Sequence, residues 1–109
     1  MPQNYVQAYA NRGKAYDDKG QIDKAIADYN KALELDPNYF DAYVNRGNAY
    51  ARKDQLDQAI ADFNKALELN SNHAPAYYNR GSAYLQKGQY DQSIADLTKA
   101  IEISPIMAV

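Results

Sequence analysis

The sequence predicts an all-α fold, an α-solenoid of three stacked helix-turn-helix repeats built from six antiparallel helices. The chain matches itself when shifted by 34 residues, and matches again at the next shift. Asn11-Arg12-Gly13 meets Asn45-Arg46-Gly47 and Asn79-Arg80-Gly81, and Ile26-Ala27-Asp28 meets Ile60-Ala61-Asp62 and Ile94-Ala95-Asp96. Each unit also carries two apolar stripes at helical spacing, and turn residues close each stripe. A fixed period of this size marks units too small to bury their own apolar faces, so neighbours must stack.

In the first copy Tyr9, Gly13 and Tyr16 form the first stripe, and Lys19-Gly20 stops it with a residue suited to left-handed backbone. Asp23 then supplies a negative group where a helix N-terminus favours one. Ile26, Tyr29 (or Ala25) and Leu33 make the second stripe, ended by Asp36-Pro37. The same stops recur as Lys53-Asp54 and Asn70-Ser71 in copy two, and as Lys87-Gly88 and Ser104-Pro105 in copy three. Gly13, Gly47 and Gly81 stand in helix centres, where glycine costs about 1 kcal/mol against alanine. Close helix approach is the expected reason, with Ala25, Ala59 and Ser93 as the facing small residues. Tyr16, Tyr50 and Tyr84, with Tyr29, Phe63 and Leu97, are expected to fill the space beside that contact.

Composition narrows the function. The 109 residues form one domain, with 12 Lys plus Arg against 14 Asp plus Glu and a net charge of −2. That balance lacks the basic face that nucleic-acid binding needs. With no Cys there is no disulfide framework, thiolate metal site or thiol nucleophile. No apolar run approaches the roughly 18 residues of a membrane span, and the N-terminus carries no secretory signal, so the expected location is the cytoplasm. His73, the single histidine, is expected in a solvated link between copies two and three. It cannot form a multi-histidine metal site alone, so neither an enzyme, a metal nor a cofactor is expected.

The recurring residues resemble the tetratricopeptide repeat (TPR) family. Its pattern is met in copy one by Tyr9, Arg12, Gly13, Tyr16, Ala25, Tyr29, Ala32 and Pro37. The family register places the copies at 6–39, 40–73 and 74–107. Departures are Tyr for the usual Trp, Arg for Leu before the Gly, Ser71 for Pro and Ser93 for Ala. The resemblance implies a right-handed superhelix whose first helices line a concave surface, and a protein–protein interaction scaffold that binds an extended peptide there. Helical spacing assigns Asn11 and Lys14 to that surface from copy one, and Val44, Asn45, Asn48 and Arg52 from copy two. Copy three contributes Tyr78, Asn79, Ser82 and Leu85.

Asn11, Asn45 and Asn79 are the invariant members of this set. An amide offers both donor and acceptor, so it suits the backbone of an extended peptide or, equally, a bond to a neighbouring helix. The clamp of family members that bind heat-shock chaperone tails wants Lys, Asn, Asn, Lys and Arg. Ala10, Lys14, Asn45, Pro75 and Asn79 stand at those places, and only Asn45 fits, which disfavours chaperone tails. Arg12, Arg46 and Arg80 each precede an Asp by sixteen residues (Asp28, Asp62 and Asp96), which predicts an ion pair within each repeat. On that basis Arg46→Leu is expected to be tolerated better than Asp62→Leu.

The C-terminal end supplies the alternative function, self-assembly as a structural module. Family members commonly add a polar shielding helix, whereas Ile106-Met107-Ala108-Val109 after Pro105 is too short for one. Ile94, Leu97, Ile101 and Ile103 are therefore expected to seek a cover, with homo-oligomerisation as one outcome.

Overall fold

The computed structural model describes residues 2–104, with side chains from residue 5 onward. Six helices follow one another: α1 (Pro2–Asp18), α2 (Ile22–Leu35), α3 (Phe40–Arg52), α4 (Leu56–Leu69), α5 (Ala74–Gln86) and α6 (Tyr90–Ile103). No strand occurs among the described residues. α3 begins at Phe40 and α5 at Ala74, one 34-residue period apart, whereas α1 begins at Pro2, four residues ahead of residue 6. The segment after Ser104, on which the short-tail expectation rests, lies outside the described residues.

The stops work as the spacing predicts. Gly20, Asp54 and Gly88 all take positive φ, at 83°, 63° and 77°. That turn lets the Gln21 N–H donate to Tyr16 O at 2.8 Å, and Gln55 and Gln89 repeat the bond. Gln21, Gln55 and Gln89 occupy the N-cap positions of the second helices without side-chain caps. Asp23, Asp57 and Asp91 supply the first-turn negative charge instead.

Each pair (α1 with α2, α3 with α4, α5 with α6) packs most extensively, and α2 on α3 and α4 on α5 join the pairs. The first helices also touch one another, α1 to α3 and α3 to α5, whereas the second helices do not. The layers therefore fan open on the second-helix side, and α1, α3 and α5 line the inner face of the curve. The stack measures 42 × 25 × 24 Å.

The helix centres meet differently from expectation. A Cβ on Gly13 would lie 2.7 Å from Tyr29 Cε1, and one on Gly47 2.7 Å from Phe63 Cε1. The glycines thus admit the large side chain of the second helix, and at Gly13 the Ala25 O backbone atom also stands 3.2 Å from the Cβ place. Tyr29 and Phe63 are fully buried as a result.

The core is a series of seams. One unites Val6, Ala10, Ala32 and Leu33 of the first repeat with Ala42 of the second. The next unites Val44, Phe63, Ala66 and Leu67 with Ala76. Polar ties reinforce these seams. Arg12, Arg46 and Arg80 each hold the Asp of their own repeat through Nε and Nη2, at 2.6–2.8 Å. Arg46 Nη1 also donates to Asn30 Oδ1 of the preceding repeat, and Arg80 Nη1 to Asn64 Oδ1, both at 2.8 Å. Lys53 reaches back to Asp23 at 2.6 Å, and Lys87 to Asp57. Each guanidinium sits over the two tyrosines that flank it on its helix, such as Tyr43 and Tyr50 around Arg46.

The Tyr29 hydroxyl is buried without a hydrogen-bond partner among the described residues. Burial, with the nearby Asp17 and Asp18 carboxylates, pushes this phenol well above its usual range. Phe63 fills the same register place without a hydroxyl. Tyr29→Phe is therefore expected to stabilise the chain by about 1 kcal/mol at neutral pH, by removing an unpaired buried group. Because the buried phenol resists ionisation that the unfolded chain allows, wild type loses stability as pH rises above the unfolded value of about 10, a loss the Tyr29→Phe variant does not suffer at this position. Urea unfolding at pH 7 and pH 10.5 checks both points: the advantage of Tyr29→Phe should widen at the higher pH.

Candidate functional site

The inner face is built by α1, α3 and α5, and it is not uniform. Between α3 and α5 lies an open cleft of about 400 Å³. Asn48, Arg52, Asn79, Ser82 and Gln86 surround it, and Phe63 and Ala83 reach its floor. The corresponding place between α1 and α3 is bridged: Arg52 Nη1 donates to the buried Asp17 carboxylate, and to Asp17 O at 3.4 Å. One repeat later Ala51 stands for Asp17 and Gln86 for Arg52, so no bridge forms there. The loss of one acid–base pair between layers leaves the second interval open.

Four of the groove residues expected from the sequence, Asn48, Arg52, Asn79 and Ser82, thus meet at one cleft. The others are dispersed. Asn11 and Lys14 lie on α1, and Lys14 Nζ is held by Asp18 at 3.2 Å. Arg52, though beside the cleft, is committed to Asp17. Val44 does not face the groove, because it is 5% exposed and packed in the seam with Ala76. Its register mate Tyr78 is exposed on α5, because no described helix lies beyond it, and Leu85 is exposed as well. The spacing argument misplaced Val44 because a first helix here packs on two sides, on its own partner and on the next repeat.

Asn45 and Asn79 are half-buried and Asn11 is exposed. None of the three amide side chains hydrogen-bonds a neighbour among the described residues, whereas Asn30 and Asn64 do. Sequence reasoning missed Asn30 and Asn64. The signal was available in the spacing, because each stands sixteen residues before an Arg that itself stands sixteen before an Asp. His73 stands in the link as expected, at the N-cap of α5, but it is half-buried and packs edge-on against Phe40, with ring centroids 5.1 Å apart.

Among the described residues no group of three or more His, Cys, Asp or Glu is placed to hold a metal ion. No described helix is long and apolar enough to cross a membrane.

Known proteins share this arrangement. The first TPR domain of Spaghetti (RPAP3), solved bound to the HSP90 peptide SRMEEVD, superposes with a TM-score of 0.92 at 28% identity, over 94% of this chain and 82% of that one. The TPR domain of Arabidopsis OM64 superposes at 0.94 with 26% identity, over 96% and 87%. MamA superposes at 0.87 with 29% identity, over 94% of this chain and 60% of its own. No curated protein matches significantly. A TPR repeat model matches residues 13–54 and 47–88, and a tetratricopeptide repeat model matches 74–106. With three hairpins in one register, glycines seated against buried second-helix side chains and a curved inner face of first helices, the chain belongs to the tetratricopeptide repeat family.

Proposed function

We propose that the chain is a protein–protein interaction module whose inner face holds an extended peptide by its backbone, with Asn45 and Asn79 as the principal grips. The observation that carries this reading is that the three invariant amides on the first helices have no hydrogen-bond partner among the described residues, and that Asn79 lines the open cleft. Each amide can give one bond to a peptide carbonyl and take one from a peptide N–H. Neighbouring helix axes lie about 8–10 Å apart, which matches about three residues of extended chain at 3.3 Å each. Successive amides therefore meet equivalent points on a strand.

A relative of the same fold bound to the peptide SRMEEVD supports peptide capture as the mode of use. The ligand here differs in chemistry. Ala10 is buried where the chaperone-tail clamp uses Lys, Pro75 replaces its second Lys, and the nearby cations Lys14 and Arg52 are already paired. A terminal carboxylate finds no free cation among these positions. Asn48, Ser82 and Gln86 offer neutral polar contacts instead, and exposed Leu85 offers an apolar one.

The test is selection of binders from a random dodecapeptide library, followed by fluorescence-polarisation titration against wild type and the Asn45→Ala/Asn79→Ala variant. Hydrogen bonds contribute about 0.5–1.5 kcal/mol each, so the double variant should lose at least about tenfold in affinity at unchanged melting temperature. C-terminal amidation of the peptides should matter little. Selected peptides that bind both proteins equally would refute the backbone-grip reading.

A further inference from the structure

The two ends of the stack are halves of an interface that the chain already makes twice inside itself. We propose that the 109-residue chain assembles head to tail, the α6 end of one copy seating on the α1 end of the next, so that the repeat register continues across the junction.

The apolar complement is direct. Within the chain, Leu33 packs in the seam with Ala42, and Leu67 in the seam with Ala76; both leucines are 8% exposed and both alanines fully buried. Ile101 holds the same register place at the C-terminal end and is 52% exposed. Ala8 holds the place of Ala42 and Ala76 at the other end and is exposed. It lines an apolar hollow of about 270 Å³ with Tyr5, Tyr9 and Arg12. The exposed isoleucine and the exposed hollow stand in the relation that leucine and alanine have within each seam.

The polar complement repeats the pattern. Lys53 pairs with Asp23 and Lys87 with Asp57, each tie running from one repeat to the Asp of the repeat before it. Lys19 and Asp91 are the two ends of that series, both exposed and both without a partner among the described residues. Arg46 and Arg80 each spend Nη1 on the Asn of the preceding repeat. Arg12 keeps its bonds to Asp28 but has no such second acceptor, and its side chain is 58% exposed against 21% for the other two. Thr98 stands in the register place of Asn30 and Asn64, with a hydroxyl to offer.

A head-to-tail junction is heterologous. Each added copy presents a fresh end, so growth is open-ended rather than closed at a dimer. It also extends the inner groove by one chain length per copy. The alternative, two α6 faces meeting about a twofold axis, leaves the α1 hollow, Arg12 and Lys19 unused.

Two substitutions at exposed positions separate these geometries without touching the core. Ala8→Arg blocks the hollow, and Ile101→Glu puts a charge on the opposite face. In sedimentation velocity, wild type should show a weight-average mass that climbs with concentration past the dimer. Each variant alone should stay monomeric. An equimolar mixture of the two should form a dimer and nothing larger, because only one competent face remains on each partner. Wild type that stays monomeric up to about 1 mM, or an Ala8→Arg variant that still assembles by itself, would overturn the proposal. Circular dichroism melts of both variants should match wild type.

Discussion

Arg46→Leu is expected to cost about 3 kcal/mol of folding stability, and more than Asp62→Leu. The sequence alone suggests the opposite order, because Arg looks like the long, partly buried member left stranded when its acid is removed. The structure reverses it. The Asp62 side chain is 7% exposed against 21% for Arg46, so the carboxylate is the group further from water. Removing Arg46 leaves that carboxylate without both of its charge-assisted donors, Nε and Nη2. Removing Asp62 leaves the guanidinium with Asn30 Oδ1 and the faces of Tyr43 and Tyr50. Breaking a buried pair from one side costs about 3–5 kcal/mol. The partial exposure here sets the lower end of that range for Arg46→Leu and about 2 kcal/mol for Asp62→Leu. The bond to Asp62 also raises the Arg46 pKa above its already high ordinary value. Urea denaturation of both single variants and of Arg46→Leu/Asp62→Leu forms the check. The double variant should recover at least about 2 kcal/mol relative to the sum of the singles. Additive losses would mean that the two charges contribute independently.

The same residue shows where sequence legibility stops. Helices, stops and register follow from a 34-residue period and from glycines at turns, because those are properties of one repeat read along one chain. The Arg46–Asp62 pair was legible for the same reason. The bonds that stitch repeats together were harder to read: Arg46 to Asn30 leaves a sixteen-residue spacing in the sequence, but Lys53 to Asp23 and Arg52 to Asp17 depend on the rotation between layers, which no single repeat encodes. Val44 failed on the same ground. One helical stripe identifies the face against α4, but the second buried face of α3 appears only when a following α5 covers it. The groove residues that did converge, Asn48, Arg52, Asn79 and Ser82, lie on the inner surface where adjacent first helices meet.

Gly47→Ala is expected to destabilise by about 2 kcal/mol, against the direction that helix propensity alone gives. In an exposed helix the change would gain about 1 kcal/mol. Here the new Cβ would stand 2.7 Å from Phe63 Cε1 and 3.0 Å from Cδ1 and Cζ. The ring is fully buried in its seam, so admitting the new Cβ requires either the ring or the helices to shift. Overpacking of this kind costs about 1–3 kcal/mol, and it spreads here to the seam with Ala76 through Phe63. Gly81→Ala offers the internal comparison. Its Cβ would meet Leu97 Cδ2 and Cγ at 3.0 Å and Asp96 Cβ at 3.1 Å. Leu97 is a flexible side chain at the open end of the stack, able to yield by a few tenths of an ångström. That variant should therefore lie within about 1 kcal/mol of wild type. Thermal and urea unfolding of the two variants should thus differ although the substitution is chemically the same. Phe63→Leu, which gives copy two the residue that copy three already carries, should recover part of the loss in the Gly47→Ala background. Equal effects at Gly47 and Gly81 would show that backbone entropy, and not the ring seated against the glycine, governs these helix centres.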